Sequence, residues 1–367
     1  MLRKFFATGL FLSATLLSFA QQNSAAIEVV TPTDSVSAET PEKKPALIIS
    51  GSADAYFKYD FKKQGSNSKT SFTNSNNAFA FGMASVKFEH AGEKVGMVAD
   101  LGFGTRAAEF SYNDQGILAA VKQLYVSYSP TSNLKLTAGT WATHVGYELV
   151  DPQLNRNYSM SYMFTNGPFT HTGVKADLAV GKSGFMIGIS NPTDYRLLPA
   201  GQIEKKFVLA QYSLAVTDDI KIFANYVGGK NPDTSIVNQF DLVATIAVSK
   251  KFNIGLNTTV NSSKVWDGAK NAEAKSWWGA AAYLNLDPTE VFGLTLRSEL
   301  FDDKAGVKGF GTSIFANTIS ANFRVEGFTF IPELRFENAG LPIYSDANAV
   351  VNQKSAVSFV LAAVYRF

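Results

Sequence analysis

The 367-residue chain contains no cysteine. No disulfide can therefore contribute to its fold, even in an oxidising compartment. Charge is sparse as well: 17% of residues are Asp, Glu, Lys or Arg, and the formal net charge is only +2. That balance excludes the basic footprint of a nucleic-acid binder and a polybasic membrane tether. Histidines number three, His90, His144 and His171. No P-loop, GxSxG elbow or zinc-binding helix accompanies them, so neither catalysis nor a cofactor is expected. His144 and His171 sit at the two ends of one long loop and could face each other, which makes only a weak metal-ligand pair. Beyond the first twenty residues, no stretch approaches about 18 consecutive apolar positions, which excludes transmembrane helices.

What the chain does have is apolar surface: 46% of residues are hydrophobic and 13% aromatic, with 29 Phe and 14 Tyr. It begins with Arg3 and Lys4, an apolar run from Phe5 to Phe19, and Ser18-Phe19-Ala20 as a small-x-small site. This is the grammar of a cleaved signal peptide over residues 1–20. Residues 21–45 are rich in Ser, Thr, Pro and Glu, cannot bury enough apolar surface to fold, and read as a disordered periplasmic segment. Residues 46–367 have one uniform texture and form the third region. No plug domain precedes them, which argues against a TonB-dependent receptor.

That third region alternates polar and apolar residues with period two, the signature of strands. In the first, Ser52, Asp54, Tyr56, Lys58 and Asp60 share one face, and Ala53, Ala55, Phe57 and Tyr59 the other. About sixteen such segments occur, centred near residues 55, 84, 99, 124, 138, 176, 187 and 210, then 224, 244, 256, 280, 296, 319, 334 and 361. Tight turns such as Gly181-Lys182-Ser183-Gly184 and Glu326-Gly327 alternate with longer polar loops at 62–77, 143–170 and 261–271. Short turns on one rim and long loops on the other are how outer-membrane barrels are built. The prediction is an all-β, antiparallel up-and-down transmembrane barrel with short periplasmic turns and long extracellular loops.

Aromatic placement separates a membrane barrel from a soluble sandwich. Tyr128, Phe252 and Tyr365 fall at the short-turn ends of the apolar phase. Tyr59, Phe103, Tyr226, Trp278, Phe315 and Phe336 fall at the long-loop ends, with aliphatic residues between the two sets. Two belts match the two membrane–water interfaces. The chain stops at Tyr365-Arg366-Phe367, which looks like the insertion signal read by the outer-membrane assembly machinery. Lys122 is the misfit, since it falls in phase with Leu124, Val126 and Tyr128 and so towards lipid. A β-bulge or snorkelling would resolve it.

Between residues 119 and 180 a recognisable run appears. Gly139, Gly146 and Glu148 stand as G-x-x-x-x-x-x-G-x-E, Tyr158-Ser159-Met160-Ser161 as Y-S-x-S, and His171-Thr172-Gly173 as H-T-G. The run resembles the OmpL-like β-barrel porins. The resemblance implies a diffusion pore, without catalytic residues and without a firm substrate.

On that reading the lumen phase carries the candidate pore-lining residues. The cations are Lys58, Lys87, Lys135, Lys175, Arg297, Arg324 and Arg335; the anions are Asp54, Asp100, Asp177, Asp241, Glu299 and Glu333, with Trp141 beside them. Glu148, Asp151 and Arg156 join them if the longest loop folds inward; it could equally cap the outside. Opposed charges order water and favour small polar solutes, or they are plain salt bridges that stiffen the wall. The expected partners are outer-membrane lipid, the assembly machinery, small hydrophilic solutes and further copies of the chain, with no nucleic acid. A structural or adhesive barrel with a closed lumen is the alternative.

Overall fold

Extended chain with period-two patterning throws successive side chains to opposite faces, and a sheet built from such chain hides its polar face by closing on itself. The computed structural model describes residues 47–202 and 204–367. The expected signal peptide and the segment 21–45 lie outside the described residues. The strands are β1 (Leu47–Asp60), β2 (Ala78–Ala91), β3 (Val95–Phe103), β4 (Val121–Thr131), β5 (Leu134–Ala142) and β6 (Thr170–Val180). They continue with β7 (Ser183–Ser190), β8 (Phe207–Ala215), β9 (Ile220–Lys230), β10 (Ile236–Ser249), β11 (Phe252–Lys264) and β12 (Lys275–Leu286). The series ends with β13 (Phe292–Asp302), β14 (Ser313–Val325), β15 (Phe328–Ala339), β16 (Tyr344–Ser345), β17 (Val351–Gln353) and β18 (Ser355–Arg366).

All but β16 and β17 form one closed antiparallel barrel of 16 strands. Each expected strand centre falls inside one of them. Closure is made by β1 on β18, with Ser52 opposite Arg366 and Asp60 opposite Ser358. Backbone bonds of 3.0 and 3.1 Å between Gly51 and Phe367 extend that seam to the last residue. A closed barrel leaves no unpaired edge, so every strand's backbone polar groups are satisfied without water. Among the described residues no helix is long and apolar enough to cross a membrane; the crossing is made by strands.

The two faces differ as the pattern requires. Inward Ser52, Asp54, Tyr56, Lys58 and Asp60 are buried, whereas outward Ile187, Leu256 and Ile319 are exposed. The outward aromatics Phe103, Tyr128, Trp278, Phe315, Phe336 and Tyr365 are exposed too, and Tyr59, Tyr226 and Phe252 are half-buried. The short-turn rim matches expectation at every connection. The other rim departs from it once: β9 and β10 are joined by residues 231–235 alone. Two features had no sequence expectation. One is the flap β16–β17 within the connection to β18; the other is a short helix α1 (Thr105–Phe110) after β3.

Lys122 corrects the alternation argument. Register between β3 and β4 slips, with Asp100 opposite Gln123 but Leu101 opposite Val121. The extra residue is Lys122 itself, so this bulge turns its side chain inward, where it is 2% exposed. A lipid-facing lysine never arises.

The glycines of the recognised motif have a packing reason. Gly139 pairs with Gly173 across β5 and β6. Gly139 has φ +133°, and a Cβ there would lie 2.2 Å from the Leu124 carbonyl oxygen and 2.7 Å from Tyr125 Cα. Both are backbone atoms that cannot step aside. Gly139→Ala should therefore cost about 2–5 kcal/mol from strain plus overlap. Gly181→Ala, with φ +59° and nothing within 4 Å, should cost only about 1–2 kcal/mol. Urea midpoints of the two refolded variants check the difference.

Candidate functional site

The connection 143–169 between β5 and β6 folds into the lumen. Sheet hydrogen bonds cannot satisfy irregular backbone inside a barrel, so wall side chains must do it. The strands β13, β14 and β15 carry the set that does. Glu333 accepts from the backbone N–H groups of Tyr158 (2.8 Å) and Ser159 (3.2 Å), and Glu299 from that of Tyr162 (2.8 Å). In the opposite sense, Arg297 donates to the carbonyls of Ser159 (2.6 Å) and Met160 (3.2 Å), and Arg335 to Met160 (2.7 Å). Glu148, on the loop itself, pairs with Arg297 and accepts from the Ser161 N–H. Arg297 and Glu299 are at most 1% exposed. Carboxylates meet N–H groups and guanidiniums meet carbonyls, so the loop runs along the wall as an extra, side-chain-bonded layer.

Further bonds fix its two flanks. Tyr162 donates its hydroxyl to Glu337 (2.6 Å) and opens a short helix α2 (Tyr162–Asn166), capped by Ser161. Arg156 forks onto Asp287, which Arg324 also reaches. On the far side Tyr158 donates to Asp54, and Lys122 bridges Asp100 on the wall to Asp151 on the loop. Burial and Asp54 together push the Tyr158 hydroxyl far up, so it stays a donor. Two outer loops clamp this assembly. Arg106 of α1 donates to the carbonyls of Val150 and Tyr158, both at 3.1 Å. Phe72 of the first loop packs with Phe110, Phe164 and Phe169.

The expected residues thus divide. Glu148, Asp151, Arg156, Arg297, Glu299, Arg324, Glu333, Arg335, Asp54 and Asp100 are the loop's anchors. Lys175 pairs with Asp177 and lies over the Trp141 ring at 5.6 Å, while Lys87 pairs with Glu89 at the short-turn rim. Lys58 donates to the Thr73 carbonyl and Ser68, tying the first loop down. Lys135 makes no ion pair among the described residues. His144 and His171 do face each other, with ring centroids 5.2 Å apart. Burial holds the His144 imidazole down at about 4, and its Nε2 lies 3.0 Å from the Tyr226 carbonyl. Among the described residues no three potential ligands gather to hold a metal.

Sequence reasoning missed Arg106 and the neutral wall. Arg106 is the one cation between β3 and β4, beside Glu109 and Asp114, which was the available signal. On β8 to β12 many of the inward polar groups are amides. Asn225 and Asn257 both donate to Asp241 (2.8 and 2.6 Å), Gln211 donates to Asn225, and Asn261 to Gln239.

The free space runs from the charged strands β1 to β5 at the short-turn rim to that amide-bearing wall at the other. A vestibule of about 580 Å³ opens at the short-turn rim and a chamber of about 300 Å³ at the long-loop rim. Between them lie two spaces of only about 10 and 20 Å³. The narrowest part is beside Tyr147, whose ring stacks on Tyr283 at 4.1 Å. It also occupies the place a Gly255 side chain would take, with Tyr147 ring atoms 2.3 Å from the would-be Cβ.

Solved structures share this architecture. The anion-selective porin from Comamonas acidovorans superposes with a TM-score of 0.61 at 10% identity, covering 88% of this chain and 100% of that one. The outer membrane channel DcaP of Acinetobacter baumannii gives 0.60 at 11% identity, covering 90% of this chain and 100% of that one. OmpT, an outer membrane protein of Vibrio cholerae in its trimer form, gives 0.61 at 9% identity, covering 88% and 99%. At these identities the likeness shows the fold. No curated relative matches in sequence. The family model described as "Putative beta-barrel porin-2, OmpL-like" matches residues 46–367, the whole barrel, and the chain belongs to that family, an outer-membrane porin.

Proposed function

We propose that this porin passes small hydrophilic solutes and ions passively from the outer chamber to the charged vestibule, through a waist set by the inward loop. One observation carries the reading. The four spaces form a series from rim to rim in which neighbours share lining residues: Gln239, then Tyr147 with Glu148, then Leu154. A space of about 10–15 Å³ holds one water, so the waist as it stands admits a thin water file, and larger solutes pass when the loop yields. The short-turn rim faces the periplasm, an N-terminal signal exports the chain, and the terminal strand with Tyr365 and Phe367 is what the assembly machinery reads. The belts from Tyr59 to Tyr365 sit at the two lipid interfaces. No step is catalysed, since the buried charges are spent on holding the loop.

The same narrow waist favours the second reading, a barrel with a closed lumen. Single-channel conductance of the refolded protein in a planar bilayer separates them. Small, stable steps are the expected result; folded barrels with no conductance would establish the closed alternative. Selectivity adds a finer test. At the vestibule Lys94, Lys135 and Arg366 make no ion pair among the described residues, against Glu93 alone. A weak anion preference is expected in a KCl gradient, and Lys135→Glu should move the reversal potential towards cations.

A further inference from the structure

We propose that the outer chamber and the lane below it form a binding path for neutral, polyhydroxylated solutes of sugar size. The proposal rests on the porin reading and adds the solute class. It starts from where charge is scarce and already engaged. The charged groups of β13 to β15 are consumed by the loop, whereas the chamber lies against the opposite wall. Its two carboxylates are also occupied. Asp194 accepts from Phe169 N–H (2.7 Å), Thr170 N–H (2.8 Å) and the Tyr112 hydroxyl (3.0 Å), and Asp233 accepts from Ser235. Lys308 is the one cation among the lining residues.

What remains is neutral. Asn113, Asn166, Asn231, Gln239 and Asn261 line the chamber beside the rings of Tyr112 and Tyr195. An amide offers a donor and an acceptor side by side, and a solute hydroxyl is itself both; Gln239 and Asn261, bonded to each other and to Thr259 and Ser263, keep a second N–H hydrogen and a second lone pair for it. A flat phenol ring covers the apolar face of a sugar ring. An ionic solute leaving water needs a counter-charge at this point, and the chamber has none to spare for an anion beyond Lys308. The volume of about 300 Å³ is at the small end for ligand sites, which suits one sugar unit. Below it the lane keeps the same chemistry. Both oxygens of Asp241 are taken, by Asn225, Asn257 and the Gly146 N–H, and Thr259 with Asn261 extends the neutral run. Asn231, Pro232 and Asp233 of the short connection between β9 and β10 line one side of the chamber.

The test uses the full-length refolded protein in liposomes, with KCl conductance recorded in parallel. Swelling is measured with glucose, gluconate and glucosamine, three solutes of one size and three charges. The expected result is glucose permeation several-fold faster than either charged derivative. Gln239→Leu combined with Asn261→Leu should bring the glucose-to-gluconate ratio close to one. Should that pair not fold, as read by heat-modifiable gel mobility, Asn113→Ala with Asn231→Ala, both in loops, should lower the ratio in the same direction. Equal rates for all three solutes in the unaltered protein would overturn the proposal and leave a sieve by size alone. Faster gluconate would overturn it in favour of control by the charged vestibule. Conductance without any sugar permeation overturns it while the porin reading stands; loss of both removes the porin reading with it.

Discussion

Arg297→Met should raise single-channel conductance several-fold and turn the weak anion preference into a cation preference. Arg297 is fully buried and donates to Glu148, the carbonyls of Ser159 and Met160, and the Thr318 hydroxyl. Methionine of similar length fills part of the space but satisfies none of these acceptors. Removing one partner of a buried pair costs about 3–5 kcal/mol, because the other charge stays buried and uncompensated. At about 1.4 kcal/mol per decade, the seated loop loses roughly two to four orders of magnitude against the displaced loop. The barrel wall is not implicated, since its seams are backbone ladders that do not use Arg297. Displacing the loop widens the waist, and Glu148, freed of its cation, makes the lumen more negative while Arg335 still pairs with Glu299. Arg297→Lys keeps the charge but not the fork, and a lysine cannot meet four separately placed acceptors; its conductance should fall between the two. Unchanged conductance in Arg297→Met would show that the loop is held without this clamp.

Arg106→Ala should expose the same loop from the outside. Its guanidinium is fully buried, bonds the carbonyls of Val150 and Tyr158, and lies over the rings of Phe72 (5.2 Å) and Tyr158 (4.7 Å). Alanine leaves two buried carbonyls unmet, at about 1–3 kcal/mol each, and forfeits cation–π attraction of up to about 2 kcal/mol per buried ring. The first loop loses its hold as well, although its Phe72 N–H still donates to Glu109 and its Ser71 N–H to Thr165. The consequence differs from that of Arg297: the inner anchors on β13 to β15 survive, so the mean conductance should rise little. Open-channel noise should increase, and limited proteolysis of intact liposomes should cut within residues 143–169, where the unaltered protein resists. Resistance in a correctly folded Arg106→Ala variant would place the clamp elsewhere, in the Phe72, Phe110, Phe164 and Phe169 cluster.

Both predictions concern parts of the molecule that sequence patterning read unequally well. Strand number, the two rims, and which face of each strand looks inward were all legible, because alternation is local. Whether Asp54 or Phe57 points inward depends on its neighbours in the same strand and on nothing distant. The family motifs were legible too, and Gly139 and Gly173 show why: a backbone approach that admits no side chain leaves a mark in the sequence at both residues. Lys122 marks the limit of local reading. One extra residue inverts the phase, and nothing within β4 announces it; the slip is visible only against β3.

The lumen's use was decided by tertiary structure. Residues such as Glu299, Glu333 and Arg335 had two open roles in the sequence, lining a channel or holding something rigid, and no spacing along the chain distinguishes them. Their role follows from the path of residues 143–169, which reach β15 across more than a hundred residues of intervening chain. Only when that loop lies against β13 to β15 do backbone carbonyls and N–H groups arrive beside charges that must be paired to stay buried. The same placement leaves Gln239 and Asn257 lining the waist and Gln239 with Asn261 lining the outer chamber. Period-two patterning is enforced residue by residue through the pleat of a strand, so one sequence suffices to state it. Which charge meets which dipole is enforced by chain closure in three dimensions, and it exists only in the folded barrel.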